Sequence, residues 1–354
     1  MALTLDTYRL LGRSGLRVSP LALGTMTFGP DWGWGADRDD ARKLFDDYVS
    51  RGGNFIDTAS FYANGSAERL LGEFTRDNRE SLVLATKYSM LRRTGDPNSG
   101  GNGRKSMIGS VEASLRNLNT DYIDLLYLHA WDFTTPVEEV LRGMDDLVRQ
   151  GKVLYVAISD TPAWQVSRMQ TIADLRGWSP LVALQVEYNL IERTVEHDLF
   201  PMARELGLGV IPWSPLGSGV LTGKYSAADL ADESTGGPEG TRREVALANG
   251  SLTARGLAIA DVVAEVAADL GRTPAQTALA WTLRNPAVTS PIIGARTPAQ
   301  LTDNLGALDV DFDPAHVERL EAASAVALPF PHNMLAREMT QGVIHGDLTI
   351  APRV

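Results

Sequence analysis

Asn54-Phe55-Ile56-Asp57, Val83-Leu84-Ala85-Thr86-Lys87 and Leu125-Leu126-Tyr127-Leu128-His129 are three short apolar runs, each closed by an ionisable group. Runs of this length read as buried strands. A charge closing a buried run costs on the order of several kcal/mol unless it finds a partner. The acid, the ammonium and the imidazole are therefore expected to meet at one rim of a parallel sheet. Tyr62 follows Asp57 by five residues, in the loop that strand feeds. In a barrel of alternating strands and helices, that rim is where catalysis sits.

Outward from these runs, strand and helix patterns alternate along the chain. A β-hairpin is expected at Tyr8–Leu11 and Leu16–Val18, with its turn at Gly12 to Gly15. Leu21–Thr25 reads as strand one and Asp37–Arg51 as its helix, stopped by Gly52-Gly53. Asn54–Asp57 and Ala67–Phe74 form the second unit, and Leu82–Lys87 and Ser106–Leu118 the third, across a Gly-rich loop from Gly95 to Gly103. Ile123–His129 precedes a helix that opens at Val137 and stops at Gly151; Val153–Ser159 precedes Trp164–Leu175. Leu184–Tyr188, Val195–Leu206, Gly209–Trp213, Val288–Ile293 and Ala299–Ala307 complete the series. Eight units with short connections predict a right-handed (β/α)8 TIM barrel, one domain over residues 1–354, rather than a doubly wound sheet. Two segments depart from the repeat. Ser226–Ser251 is a long, polar connection after strand seven, either a lid or a plain insertion, with residues 226–251 expected to be mobile. The tail, residues 328–354, has no clear period and either drapes over the barrel mouth or frays.

The chain has 354 residues, 44% hydrophobic and 22% charged, as in an ordinary globular protein. A net charge of −11 argues against a general nucleic-acid or membrane-surface role, because both require a basic face. With no cysteine, thiolate chemistry and cysteine-ligated metals are excluded. The five histidines show no metal-ligand spacing, so no metal is expected. No signal-like stretch opens the chain and no run approaches the ~20 apolar residues of a membrane span, so a cytoplasmic location is expected.

Taken singly, Asp57 reads as a helix cap, Lys87 as a solvated rim charge and His129 as a satisfied polar residue. Together they suggest chemistry. A tyrosine hydroxyl is a weak acid with a pKa of about 10. An adjacent ammonium favours phenolate and would lower that value, making Tyr62 a usable proton donor. Asp57 would orient Lys87, and His129 would bind or relay a proton to a substrate oxygen. Such equipment protonates an oxyanion as it forms, as in carbonyl reduction, and the hydride must come from a nicotinamide cofactor. No Gly-x-Gly-x-x-Gly sits between strand and helix; Gly24 and Gly29 flank Thr25-Met26-Thr27-Phe28 instead.

The stretch Arg51-Gly52-Gly53-Asn54-Phe55-Ile56-Asp57-Thr58-Ala59-Ser60-Phe61-Tyr62 closely resembles the signature of the aldo-keto reductase superfamily, and further motifs follow in the family's order from Leu10 to Leu305. The resemblance implies a (β/α)8 barrel and a catalytic tetrad of Asp57, Tyr62, Lys87 and His129. It implies cofactor contacts from Gly24, Thr25, Met26 and Asp57, with Ser159, Asp160 and Gln185 at the nicotinamide carboxamide and Trp213 stacked on its ring. Ser214, Leu216, Gly217, Gly219 and Lys224 correspond to the pyrophosphate loop. Gly294, Arg296, Gln300, Asp303 and Asn304 correspond to the adenosine 2′-phosphate site, and Arg296 favours NADPH over NADH. Asp160 replaces the family's usual asparagine, and Ala63 its common glycine after the tyrosine. Trp32, Trp34 and Trp131, beside Tyr62 and His129, are expected to line a pocket for an aromatic, terpenoid or sugar-ring substrate. The implied activity is NADPH-dependent reduction of an aldehyde or ketone, the partner being a small carbonyl or alcohol. Two alternatives stay open. One is an NAD(P)+-dependent alcohol or sugar dehydrogenase running the same site in reverse. The other is a redox-sensing regulatory subunit like the potassium-channel beta subunits. Oligomeric state has no marker in the sequence.

Overall fold

The computed structural model describes residues 3–231 and 242–350. The N-terminal hairpin is formed by β1 (Arg9–Leu10) and β2 (Arg17–Val18), paired antiparallel. It closes the barrel floor: the Arg13 N–H donates to the Gly207 carbonyl at 2.8 Å, and the Arg9 guanidinium to the carbonyls of Val288 and Thr289. Gly12 adopts φ +55°, and a Cβ there would lie 2.3 Å from the Val182 carbonyl oxygen, so the plug seats only with glycine.

Eight parallel strands follow: β3 (Ala22–Gly24), β4 (Phe55–Asp57), β5 (Val83–Tyr88), β6 (Ile123–Leu128), β7 (Val153–Ser159), β8 (Leu181–Glu187), β9 (Gly209–Trp213) and β10 (Ile292–Gly294). Their order is β10-β3-β4-β5-β6-β7-β8-β9. The ring closes between β9 and the approach to β10, where Val210 bridges Val288 and the Thr289 N–H donates to the Val210 carbonyl at 2.8 Å. This is the expected (β/α)8 barrel. Strand eight is shorter than the expected 288–293, because Pro291, without an N–H, interrupts the ladder before β10. Conversely, β8 begins at Leu181, three residues before the expected Leu184.

The outer helices are α1 (Arg38–Ser50), α2 (Ser66–Phe74), α3 (Arg104–Leu118), α4 (Val137–Arg149), α5 (Ala163–Arg176) and α6 (Leu199–Leu206). The expected helix from Val195 to Leu206 divides: Thr194–Glu196 is a 3-10 turn, and α6 starts only at Leu199. Pro201 then sits in the first turn, where its missing N–H is harmless. Between β9 and β10 lie α7 (Ala227–Ala231), α8 (Arg243–Ala248), α9 (Ala254–Leu270) and α10 (Pro274–Arg284). The long 226–251 connection thus carries short helices at both ends, and its centre, with Asp232, Glu233 and Gly236–Gly240, lies outside the described residues. After β10 come α11 (Pro298–Leu305) and α12 (Pro314–Ser324). The tail is helical rather than frayed, as α13 (His332–Leu335) and α14 (Glu338–His345). It is tethered where His332 meets Asp198 at 2.9 Å, at the start of α6; residues 351–354 lie outside the described set. Among the described residues no helix is long and apolar enough to cross a membrane.

Strand alternation decides what the barrel holds. Phe55, Val83, Ala85, Leu125, Tyr127, Ala157, Ala183 and Ile211 form an inner cluster with Leu11 and Val18 of the plug. Ile56, Leu84, Leu126, Leu128, Ile158, Leu184 and Val210 belong to the larger layer between sheet and helices. Successive strand residues face opposite sides. One step beyond the inner cluster along each strand's inward register therefore come Asp57, Lys87, His129, Ser159, Gln185 and Trp213. The site is the top layer of the barrel filling.

Candidate active site

Lys87 is fully buried, and its three ammonium donors have three acceptors: Asp57 Oδ1 at 2.5 Å, the Thr58 carbonyl at 2.9 Å and the Tyr62 hydroxyl at 3.2 Å. The other Asp57 oxygen accepts from Gln185 Nε2 at 2.9 Å. Burial opposes the charge on Lys87, yet Asp57 and Tyr62 more than offset it and hold the ammonium above its ordinary pKa. Lys87 is therefore charged. Because the Tyr62 hydroxyl accepts from Lys87, its own proton is left for another acceptor.

Tyr62 departs from the sequence expectation. Burial raises its pKa, and the opposing field of Lys87 does not reverse the shift, so the phenol stays protonated at neutral pH. The His129 ring lies 6.1 Å from that of Tyr62, edge on. Burial, with Lys87 adding to it, pushes the His129 imidazole down to about 3, so it is neutral. Its Nδ1 is buried without a hydrogen-bond partner among the described residues. The arrangement can deliver a proton from a neutral tyrosine and bind an oxygen beside a neutral imidazole.

The turn that aims Tyr62 is strained. Ala63 (φ 44°) and Asn64 (φ 53°) are left-handed, and Gly65 (φ 86°) follows. A left-handed non-glycine costs roughly 1–2 kcal/mol. Ala63 thus takes up, under strain, a backbone hand that glycine adopts freely. Ser60 Oγ bonds the Lys87 carbonyl at 3.0 Å, tying this turn to β5.

Trp32 and Trp34 stand in the loop between β3 and α1, half-buried, with ring centroids 5.7 Å apart. Trp32 also lies 6.3 Å from Tyr62 and 5.3 Å from Phe61. Phe61 was not singled out from sequence, although its place beside Tyr62 was a signal. The loop is pinched at its base, where Phe28 bridges Ala36 and the Gly29 N–H donates to the Ala36 carbonyl at 2.9 Å. A Cβ on Gly35 would sit 1.9 Å from the Gly29 oxygen, so glycine is required at the crossing. Trp131 is placed differently: it is buried in the layer between sheet and helices, packed with the core.

At the ends of β7, β8 and β9, Ser159, Gln185 and Trp213 surround Asp160. Asp160 has φ 37° and accepts from the Trp213 indole N–H at 3.0 Å. Although one side of Asp160 is open to solvent, crowding strips enough hydration to raise its carboxyl to about 6, against the pull of Trp213. Glu187 is pushed up to about 7 by burial and by Glu192. A cavity of about 400 Å³ opens beside these acids, lined also by Phe133, Val195 and Leu199. It touches neither Tyr62 nor Trp32.

The loop after β9 is a run of tight turns. Ser214, Gly217, Ser218 and Gly219 are all left-handed. The N–H groups of Gly217 and Gly219 donate to the carbonyls of Ser214 and Leu216, and that of Ser218 to Ser214 Oγ. Lys224 packs its amine where a Gly219 Cβ would stand. Burial and then Arg296 and Arg242 depress the Lys224 pKa, so three cations crowd one region. Gln300 accepts from the Arg296 N–H at 2.8 Å, and Asn304 donates to the Gly294 carbonyl at 3.1 Å, which shapes the β10–α11 turn. Asp303 faces the start of α10 instead, accepting from Thr273 and Gln276. Gly24, Thr25 and Met26 lie at the end of β3; the Thr25 hydroxyl donates to the Asp57 carbonyl at 3.0 Å. Among the described residues no cluster of metal-ligating side chains occurs.

A profile of the Aldo/keto reductase family matches residues 20–325. Norsolorinic acid reductase of Aspergillus flavus is 37% identical over 349 residues, 95% of this chain and 86% of that protein. Aldo-keto reductase ausK of Aspergillus calidoustus is 37% identical over 94% of this chain and 85% of its own length. Aryl-alcohol dehydrogenase [NADP(+)] of Phanerodontia chrysosporium is 34% identical over 94% of this chain and 89% of its own.

Proposed function

Given that the chain belongs to the aldo/keto reductase family, an oxidoreductase family, we propose that it reduces an aryl aldehyde or ketone to the alcohol with NADPH. The observation that carries the reading is the Lys87 ammonium, held at 2.5 Å by Asp57 and at 3.2 Å by the Tyr62 hydroxyl. The residues present fit a nicotinamide dinucleotide. The Ser159 hydroxyl is buried and pulls on the Asp160 carboxyl without closing a well-formed hydrogen bond, next to Gln185 and the Asp160–Trp213 pair. Lys224, Arg242 and Arg296 concentrate positive charge beside the β9 loop, which suits phosphates. Since the amides of Gly217, Ser218 and Gly219 serve the loop's own turns, that charge falls to the side chains. When bound, the cofactor supplies the hydride.

The chain's own part is proton delivery. Tyr62 keeps its proton in the resting protein and gives it to the substrate oxygen as negative charge builds there. Lys87 stabilises the phenolate left behind, and Asp57 keeps Lys87 charged and aimed. Neutral His129 holds the substrate oxygen beside Tyr62 without adding a second cation. In the alcohol-oxidising direction Tyr62 takes the proton back; the relative named as an aryl-alcohol dehydrogenase favours retaining that direction as a second reading. Trp32, Trp34 and Phe61 provide flat apolar surface beside Tyr62, and both this and the relatives' names support an aryl substrate.

The test follows NADPH consumption with benzaldehydes and aryl ketones, in wild type and in Tyr62→Phe. Turnover falling by about two to four orders of magnitude in the variant, with NADPH affinity retained, is expected. Retained turnover in Tyr62→Phe would remove its role, and absence of NADPH binding would remove the reading.

A further inference from the structure

The C-terminal tail carries apolar surface that its own chain does not cover. Nine of the eighteen large apolar side chains exposed among the described residues lie between Leu328 and Ile350. Phe330, Met339, Val343 and Leu348 are each between 73% and 82% exposed. Among the described residues neither α13 nor α14 buries a side chain. The tail is held at its root, where His332 meets Asp198 and its ring stacks 6.2 Å from that of His197. Helices shorter than about 12–15 residues are marginal in water by themselves. α14 has eight residues, and Gly342 inside it costs about 1 kcal/mol more. Met339 and Val343, four apart, share one face. Such a helix needs cover on that face.

A second apolar surface adjoins the root of the tail. Val195 and Leu199, on either side of His197 and Asp198 in sequence, line the cavity of about 400 Å³ together with Phe133 and Pro162. Phe133 is 73% exposed, and Trp164, two residues after Pro162, is 63% exposed. Phe133 is held out by a rigid turn: its φ is 57°, and the Asp132 carboxylate accepts from the N–H groups of Asn102, Thr134 and Thr135. At roughly 100 Å² for each of its nine side chains, the tail exposes on the order of 900 Å². That exceeds the about 300–600 Å² of the largest patch on a typical monomer and meets the about 800 Å² that each partner gives to a stable interface. Charge selects the occupant. The stretch Leu328–Ile350 holds Arg337, Glu338 and Asp347, a net −1 out of −11 for the chain. A membrane surface would require lysines and arginines on the polar face, and a basic partner would be drawn to the acidic remainder of the molecule. Two like-charged copies repel least where each is least charged, which is here. We propose that two copies of this chain pair about a two-fold axis through this face, the tail of each covering Phe133 and Trp164 of the other.

Sedimentation velocity on the full chain is expected to show a dimer at micromolar concentration. The double variant Met339→Glu with Val343→Glu puts charge where the chain packs nothing of its own. Its folding and thermal melt are therefore expected to hold, while the dimer dissociation constant rises about a hundredfold or more. Trp164→Glu is expected to raise that constant about tenfold or more. Leu175→Glu, at the other end of α5, is expected to leave the dimer intact. A wild-type chain that stays monomeric at its highest soluble concentration would overturn the proposal. So would a dimer kept in the double variant or lost in Leu175→Glu, either of which would put the interface elsewhere. An unchanged dissociation constant in Trp164→Glu would leave the tail without its seat and equally overturn it. Open-ended assembly with rising concentration would count against it too, because a two-fold contact closes on itself. Monomers that bind phosphatidylserine vesicles through the tail would assign this face to a membrane instead.

Discussion

Lys87→Met removes the cation at the centre of the site while keeping an unbranched side chain in its place. In wild type the ammonium is fully buried, and the Asp57 side chain that meets it at 2.5 Å is 2% exposed. Deleting Lys87 strands that carboxylate inside the barrel with the Gln185 amide at 2.9 Å and without its counter-charge. Breaking a buried pair by removing one partner costs about 3–5 kcal/mol. Against a typical domain stability of about 5–15 kcal/mol, the loss is large. Adding Asp57→Asn to Lys87→Met removes the stranded charge and leaves only neutral hydrogen bonds to be lost, about 1–2 kcal/mol. The double variant is therefore expected to be more stable than Lys87→Met alone, by about 2 kcal/mol or more. Urea unfolding at neutral pH, followed by circular dichroism with the same slope for each variant, measures the cycle. A Lys87→Met protein within about 1 kcal/mol of wild type would refute the reasoning. So would single losses that simply add in the double variant, because the charge would then have found water or another partner.

Three further outcomes are expected. Asp160 is pushed up to about 6 by its surroundings, and only its protonated form can both donate to and accept from a carboxamide; NADPH affinity should weaken as pH rises through about 6 in wild type and stay level in Asp160→Asn, as read by fluorescence titration. Glu187 is raised to about 7 by burial and Glu192, so the fold binds its proton more tightly than the unfolded chain does. Its contribution is present below the unfolded value of about 4.3 and is lost as pH rises toward 7. Glu187→Gln should therefore gain about 1–2 kcal/mol over wild type at slightly alkaline pH, discounted for partial exposure, and almost nothing near pH 4 in thermal melts. Gly35→Ala forces a Cβ to within 1.9 Å of the Gly29 oxygen; the loop bearing Trp32 and Trp34 must shift, raising KM for aryl aldehydes with a stability loss of about 1–3 kcal/mol in urea.

The strand ends were legible because strand periodicity is strict. Phe55 and Asp57, Val83, Ala85 and Lys87, and Leu125, Tyr127 and His129 share one inward register, so the charged group at each end had to point where the apolar ones did. What sequence could not fix was the balance of competing terms. Lys87 was expected to lower the Tyr62 pKa, but the burial that acts against it depends on the packed turn and on Trp32 overhead. Trp131 follows His129 by two residues and was read as pocket wall; an aromatic side chain suits core and pocket alike, and only the packing chose the core. Arg242 carried no local signal at all. It stands in a polar stretch, and only the fold brings it beside the Trp34 ring, the Met26 sulfur and the Lys224 amine.

The upward shift at Tyr62 changes what Lys87 must do. If the ammonium generated phenolate in the resting protein, the tyrosine would have no proton to give. Burial prevents this, and the proposed reaction then has to create a phenolate in a site that disfavours it. At 3.2 Å, with an effective dielectric constant of about 20, an ammonium and a phenolate attract by on the order of 5 kcal/mol. That attraction does not exist while Tyr62 is neutral and grows only as its proton leaves, which is the condition for stabilising a transition state rather than a resting state. A protonated His129 would oppose Lys87 across the same space and, with its push down to about 3, does not form near neutrality. One buried cation, one buried anion, a neutral acid and a neutral imidazole thus form a consistent set. Substituting any one of them shifts the charge state that the other three require.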